Sequence, residues 1–132
     1  MSDDWVSFHG RPYGRPGHFG IRVTLNPRCV MYLNRQAFAA LGQPAAVEFL
    51  FHHPTNTIGV RSVDPRKEYA FEVKPKHFKD DLTGYIIHAG AFFTDIKIRP
   101  ARTIQFNKIS VDAKGMMHLP LPFISAISRG AR

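Results

Sequence analysis

The residue types best suited to chemistry in this chain are its early arginines. Between Asp4 and Glu48 there is no acidic residue, and the same interval holds Arg11, Arg15, Arg22, Arg28 and Arg35 without a lysine. A guanidinium stays charged and offers a planar fork of donors that matches a phosphate or the edge of a guanine. With no carboxylate interspersed, these arginines project an uncompensated positive field. A surface that merely keeps a protein soluble mixes both signs, so the segment reads as a grip for a polyanion. Later basic charge is mostly lysine (Lys67, Lys74, Lys76, Lys79, Lys97, Lys108, Lys114) and is interrupted by acids.

Other chemistries find less support. His52 and His53 are adjacent, so in a strand they point to opposite faces, and neither a Cys-x-x-Cys nor a His-Glu-x-x-His pattern frames them. His77, His88 and His118 stand singly. Asp80 and Asp81 adjoin, but a Mg²⁺-dependent nuclease needs carboxylates converging on the ion beside a basic partner. Gly14 and Gly17 belong to no phosphate-binding loop, with neither a strand before them nor a helix after. Cys29 is the single cysteine, so no intramolecular disulfide forms, and it reads as a small half-buried strand residue. The expectation is a protein with no catalytic residues, no metal site and no cofactor.

The elements that must position the arginines follow from periodicity and turn chemistry. Residues 1–20 are dense in Gly, Pro and Arg, which disfavours helix and central strand, so Arg11 and Arg15 lie on a flexible basic arm. Its interleaved Tyr13 and Phe19 could stack on bases. Residues 21–25 and 29–33 read as strands joined by a turn at Asn26-Pro27-Arg28. Asn34 is a good N-cap for a short helix over 35–41, Leu33 and Phe38 have the spacing of a hydrophobic staple, and Gly42 stands at C′. Residues 47–51 and 57–61 form a hairpin that buries Val47, Phe49, Phe51, Ile58 and Val60 and leaves Arg61 on the solvated side. Residues 64–84 are more polar, with a strand over 69–73 and a charged connector over 74–84. Residues 85–93 lie on residues 31–39 without a gap, which puts Phe92 on Phe38 and a poorer cap, His88, on Asn34. Strands over 102–106 and 108–112 and a hairpin turn at 112–115 complete a degenerate second unit over 85–121, and 122–132 is a tail.

The scale agrees with one domain, or with two very small halves sharing a core. Of 132 residues 44% are hydrophobic and 11 are Phe, enough to build that core. The acidic start Met1-Ser-Asp-Asp is unlike a signal peptide, and no run approaches the roughly 20 apolar residues of a membrane span. A soluble, cytoplasmic protein with a net charge of +8 is expected.

The segment Val30-Met-Tyr-Leu-Asn-Arg-Gln-Ala-Phe-Ala-Ala-Leu-Gly-Gln-Pro-Ala-Ala-Val-Glu-Phe, closing with Ile58-Gly-Val-Arg61, resembles the AbrB-like (SpoVT/AbrB) swapped-hairpin family. Leu33, Asn34, Leu41, Gly42, Val47, Ile58, Val60 and Arg61 fall on that family's pattern, and the likeness covers about residues 21–63. It departs at Ala45-Ala46, where the family carries Gly-Asp, and at Asn26-Pro27-Arg28, which splits the first strand. The resemblance implies a mainly β fold with short helices, a swapped-hairpin β-barrel, and two degenerate copies in one chain as in the tandem MraZ-like branch. It also implies a homodimer or pseudo-dimer that binds double-stranded DNA, as a transcription regulator does. RNA is the alternative nucleic acid on a different ground, the capacity of Phe8, Tyr13 and Phe19 to stack on unpaired bases. The residues expected at the nucleic acid are Arg11, Arg15, Arg22, Arg28, Arg35 and Arg61. The competing expectation is a protein-interaction or structural subunit, a phage or complex component, whose basic arm binds an acidic partner.

Overall fold

The computed structural model describes residues 20–122 and the backbone of 127–129. The expected arm, with Arg11 and Arg15, lies outside the described residues. The elements run β1 (Val23–Leu25), β2 (Val30–Leu33), α1 (Arg35–Ala40), β3 (Ala46–His52), β4 (Thr57–Ser62), β5 (Phe71–Glu72), β6 (Lys74–Phe78) and β7 (Asp81–His88). They continue with α2 (Gly90–Ile96), β8 (Ile98–Pro100), β9 (Ile104–Gln105), β10 (Ser110–Val111), β11 (Met117–Pro120) and β12 (Ile127–Arg129). The protein is mainly β. One five-stranded sheet has the order β6-β7-β2-β1-β9, a second the order β10-β11-β4-β3-β5, and β12 pairs with β8. All of these pairings are antiparallel.

Side-chain chemistry sets the turns. Between β1 and β2 the Asn26 carboxamide oxygen accepts from the backbone N–H of Arg28 (2.9 Å) and Val30 (3.0 Å). Cys29 closes the turn at φ 62, a left-handed conformation usually given to glycine. Cys29 is therefore a buried turn residue ahead of β2 and not the half-buried strand residue expected. The β10–β11 turn repeats this design: Asp112 Oδ1 accepts from the N–H of Lys114 (2.9 Å) and Met116 (3.0 Å), and Gly115 takes the left-handed place at φ 88.

Helix α1 is capped at both ends. Asn34 accepts from Ala37 N–H at 2.9 Å. At the other end Gly42 N–H donates to Ala39 O and Gln43 N–H to Phe38 O, the two bonds of a Schellman motif. The expected second helix exists, but His88 is not its cap. His88 ends β7, and Ala89, which has no side-chain acceptor, occupies the N-cap of α2.

The two halves of the chain are interleaved. In the first sheet β2 pairs with β7, and Tyr32 stands opposite Ile86. Those same residues coincide when 85–93 is laid on 31–39, so this pairing runs about a local pseudo-twofold. In the second sheet β4 pairs with β11, again one half against the other. Val23, Leu25, Met31, Leu33 and Ile87 from the first sheet join Val47, Ile58, Val60, Met117 and Leu119 from the second in one buried core. Phe93 of α2 is buried in it, and its neighbour Phe92 stacks on Phe49 of β3 at 5.0 Å.

Residues 74–84 are no connector. Lys74–Phe78 is an edge strand hairpinned onto β7 through Lys79-Asp80. All five of its residues are exposed, so no apolar alternation marks it. Its lysines and Pro75 are the residue types that keep an open sheet edge from pairing with other chains. The tail also contains a strand, β12.

The Asp112 turn yields a pH prediction. The hydrogen bond from His118 (3.0 Å), with those from Met116 and Lys114, holds the Asp112 carboxyl below its ordinary value. A depressed folded-state value means the stabilisation is present above the unfolded pKa and is lost as pH falls through the folded one, below about pH 4. Asp112→Asn keeps the turn, as Asn26 demonstrates, so its melting temperature at pH 7 should stay near the parent's while its loss in acid is smaller. Asp112→Ala should melt earlier at both pH 7 and pH 3. Equal acid sensitivity in Asp112→Asn and the parent would exclude this carboxylate as a source.

Candidate nucleic-acid interface

Arg22 and Arg35 are brought together through Asn34. Antiparallel pairing of β1 and β2 sets Arg22 beside Asn34, and the contact is reciprocal: Arg22 N–H donates to Asn34 Oδ1 and Asn34 N–H donates to Arg22 O, each at 3.0 Å. The Asn34 amide NH₂ donates to Gly20 O, where the described chain begins. Arg35 follows directly as the first residue of α1, whose first turn contains no acid. Both arginines are exposed and have no ion-pair partner among the described residues.

Arg28 lies elsewhere. It sits in the turn at the opposite end of the β1–β2 hairpin, exposed and likewise without an ion-pair partner among the described residues. About five residues at 3.3 Å per residue separate it from Arg22, roughly 17 Å. Three cationic or titratable side chains join it there. His88 is paired with Val30, just past the turn. Arg102 is two residues before Ile104, which pairs with Leu25. Arg99 acts on the neighbouring Cys29: burial pushes that thiol up from its ordinary value, and the Arg99 charge partly opposes the shift.

Arg61 faces solvent on β4, but its guanidinium Nε donates to Glu48 Oε2 at 2.6 Å across the β3–β4 pair. Arg66 is similarly engaged with Asp64 at 2.8 Å, which lowers the carboxyl and raises the guanidinium. The structure thus brings Arg22 and Arg35 together, places Arg28 at the far end of the same hairpin, and puts Arg61 on the other sheet in an ion pair.

Sequence reasoning missed Arg99, Arg102, Lys74 and Lys76. Nothing local marks them. Arg102 comes to the Arg28 end of the hairpin because β9 pairs with β1 across some eighty residues of chain, roughly the separation of Leu25 from Ile104. Arg99 is near enough to Cys29 to act on its thiol. Lys74 and Lys76 join the first sheet through β7. Among the described residues no three His, Cys, Asp or Glu side chains gather as metal ligands, and no helix is long and apolar enough to cross a membrane. No family model matches the chain, and neither a curated protein nor a solved structure does.

Proposed function

We propose that this chain is a DNA-binding protein, a cytoplasmic transcription regulator that holds duplex DNA through the phosphate contacts of its early arginines. The observation that carries this reading is a contrast within the described cations. Arg61 and Arg66 are committed to carboxylates, whereas Arg22, Arg28 and Arg35 are exposed and uncompensated. Binding would proceed by release of condensed counterions, with register fixed by the rigid hairpin that spaces Arg28 from the Arg22–Arg35 pair. In the architectural part of the proposal, two degenerate AbrB-like units fuse into one swapped-hairpin barrel, a pseudo-dimer in a single chain. The pseudo-twofold at Tyr32 and Ile86 and the interleaving of halves in both sheets support it.

The test is a titration of fluorescent duplex DNA at several salt concentrations. Arg22→Ala with Arg35→Ala should flatten the slope of log K against log salt by about 2, one per lost phosphate contact, and weaken binding at all sequences alike. An unchanged slope with a folded double variant removes these residues from the site.

A second reading, an interaction subunit whose basic arm binds an acidic protein, draws on Phe78 at the tip of the β6–β7 hairpin, which is 66% exposed. Non-saturating DNA binding together with a stable hetero-oligomer would favour it.

A further inference from the structure

Apart from Arg22, the solvent-facing side of the first sheet has no part in the duplex grip proposed above. Strand alternation turns Val23, Leu25, Met31, Leu33 and Ile87 into the core, so their neighbours Arg22, Thr24, Val30, Tyr32, Ile86 and His88 share the outer side. Pairing of Lys74 with Ile86 and of Lys76 with Gly84 adds both lysines to that side. Three strand spacings, about 14 Å, separate the lysines of β6 from Arg22 and Thr24 of β1. Among the described residues, Asp81 is paired with Phe78 out at the hairpin tip, and the exposed Glu72 stands two residues before Lys74, at the other end of that edge. Across the middle of the face, among the described residues, the charged side chains are cationic.

Tyr32 stands in that middle, between Thr24 and Ile86. A Cβ at position 84 would come within 2.6 Å of Tyr32 Cε1 and 2.7 Å of its hydroxyl, so that edge of the ring fits only against the bare backbone of Gly84. The hydroxyl donates to Thr83 O at 2.8 Å and pins the ring there. Thr83 is the extra residue where the β6–β7 register shifts, and its own hydroxyl donates to Lys76 O at 3.1 Å. Glycine and bulge together fix the ring in place over β7, and the side chain stays partly exposed on the outer side. Val30 and Ile86 flank it as partly exposed aliphatic surface.

We propose that this outer face is a stacking platform for single-stranded DNA, in which an unpaired base lies on Tyr32 and Lys74, Lys76 and Arg22 hold the phosphates on either side. The occupant is chosen by chemistry. A fixed, partly exposed aromatic ring offers a π-face that any base can use, and cations on both sides of it suit a phosphate backbone more than a peptide. A duplex keeps its bases stacked inside and has no use for the ring, so the platform adds a substrate class to the DNA reading on which it rests. Arg22 lies at the meeting point of the two surfaces, and a strand leaving a duplex held by Arg22 and Arg35 would pass directly onto Tyr32.

The experiment compares oligo-dT of about 15 nucleotides, oligo-U of equal length and a duplex, each by fluorescence anisotropy at fixed salt. The variants are Tyr32→Leu, Tyr32→Phe and the surface pair Lys74→Glu/Lys76→Glu, which alters exposed residues and leaves the core untouched. Tyr32→Leu and the lysine pair should each weaken oligo-dT binding about 10-fold or more, Tyr32→Phe should stay within about 3-fold of the parent, and Tyr32→Leu should bind duplex as the parent does. Parental oligo-dT affinity in either Tyr32→Leu or the lysine pair overturns the platform. Duplex binding with no oligo-dT binding overturns the platform and leaves the duplex reading standing. Binding to neither probe removes both, and oligo-U held 10-fold tighter than oligo-dT overturns the assignment to DNA.

Discussion

Phe93→Ala should destabilise the whole chain by about 3–5 kcal/mol and should do so in one transition. Phe93 is 1% exposed on α2, and removing its ring leaves a cavity that the surrounding strands fill only in part. The loss is large against the roughly 5–15 kcal/mol that stabilises a typical domain. For a chain of this length it corresponds to a fall of roughly 10–20 °C in melting temperature. The single transition is the more discriminating expectation. If residues 21–63 and 85–121 folded as separate domains, a defect in α2 would melt its own half early and leave the other in place. The pairing of β2 with β7 and of β4 with β11 makes that impossible without breaking both sheets. Thermal unfolding followed by circular dichroism and by calorimetry decides the matter. Two resolved transitions in Phe93→Ala, one at the parental temperature, would refute a shared core.

Elements closed by local chemistry were legible in the sequence. Asn34, Gly42 and the Asn26-Pro27-Arg28 turn each satisfy backbone groups within a few residues, and α1 and the β1–β2 hairpin stand where those signals put them. The β3–β4 hairpin was readable because Val47, Ile58 and Val60 alternate into the core. The β6–β7 hairpin was not, since an edge strand exposed on both sides has no periodicity to show. Its tight turn at Lys79, at φ 57, carries a lysine where glycine or asparagine would have announced it. The candidate site divides in the same way. Arg22 and Arg35 are thirteen positions apart, yet a hairpin and an N-cap readable in advance bring them together. The Glu48 partner of Arg61 follows from the β3–β4 register, which fixes one opposite the other and which no single-residue signal specifies. The surroundings of Arg28 and the lysines of the outer face depend on long-range strand pairing, to which local propensity is blind.

Asn34 is where fold and site meet, and substituting it should separate them. Its carboxamide oxygen caps α1 through Ala37 N–H and receives Arg22 N–H, while its NH₂ holds Gly20 O. Asn34→Ala removes the cap, worth about 1 kcal/mol, and two further hydrogen bonds of about 1 kcal/mol each, so a loss of roughly 2–4 kcal/mol is expected. Urea unfolding measures it, and a loss under about 0.5 kcal/mol would show that water replaces all three contacts without cost. Asn34→Asp acts differently. A carboxylate keeps both acceptor functions and is a good N-cap, while losing the bond to Gly20 O and setting an oxygen against it, so the cap and the Arg22 bond remain and the Gly20 contact is lost. It also sets a negative charge between Arg22 and Arg35, where a phosphate is proposed to bind. Duplex affinity should therefore fall more in Asn34→Asp than stability does, and the salt slope should flatten as it does when an arginine is removed. Should Asn34→Asp stay folded and bind duplex DNA with the parental affinity and slope, no phosphate sits between Arg22 and Arg35, and the interface must be sought at the Arg28 end of the hairpin, with Arg99 and Arg102.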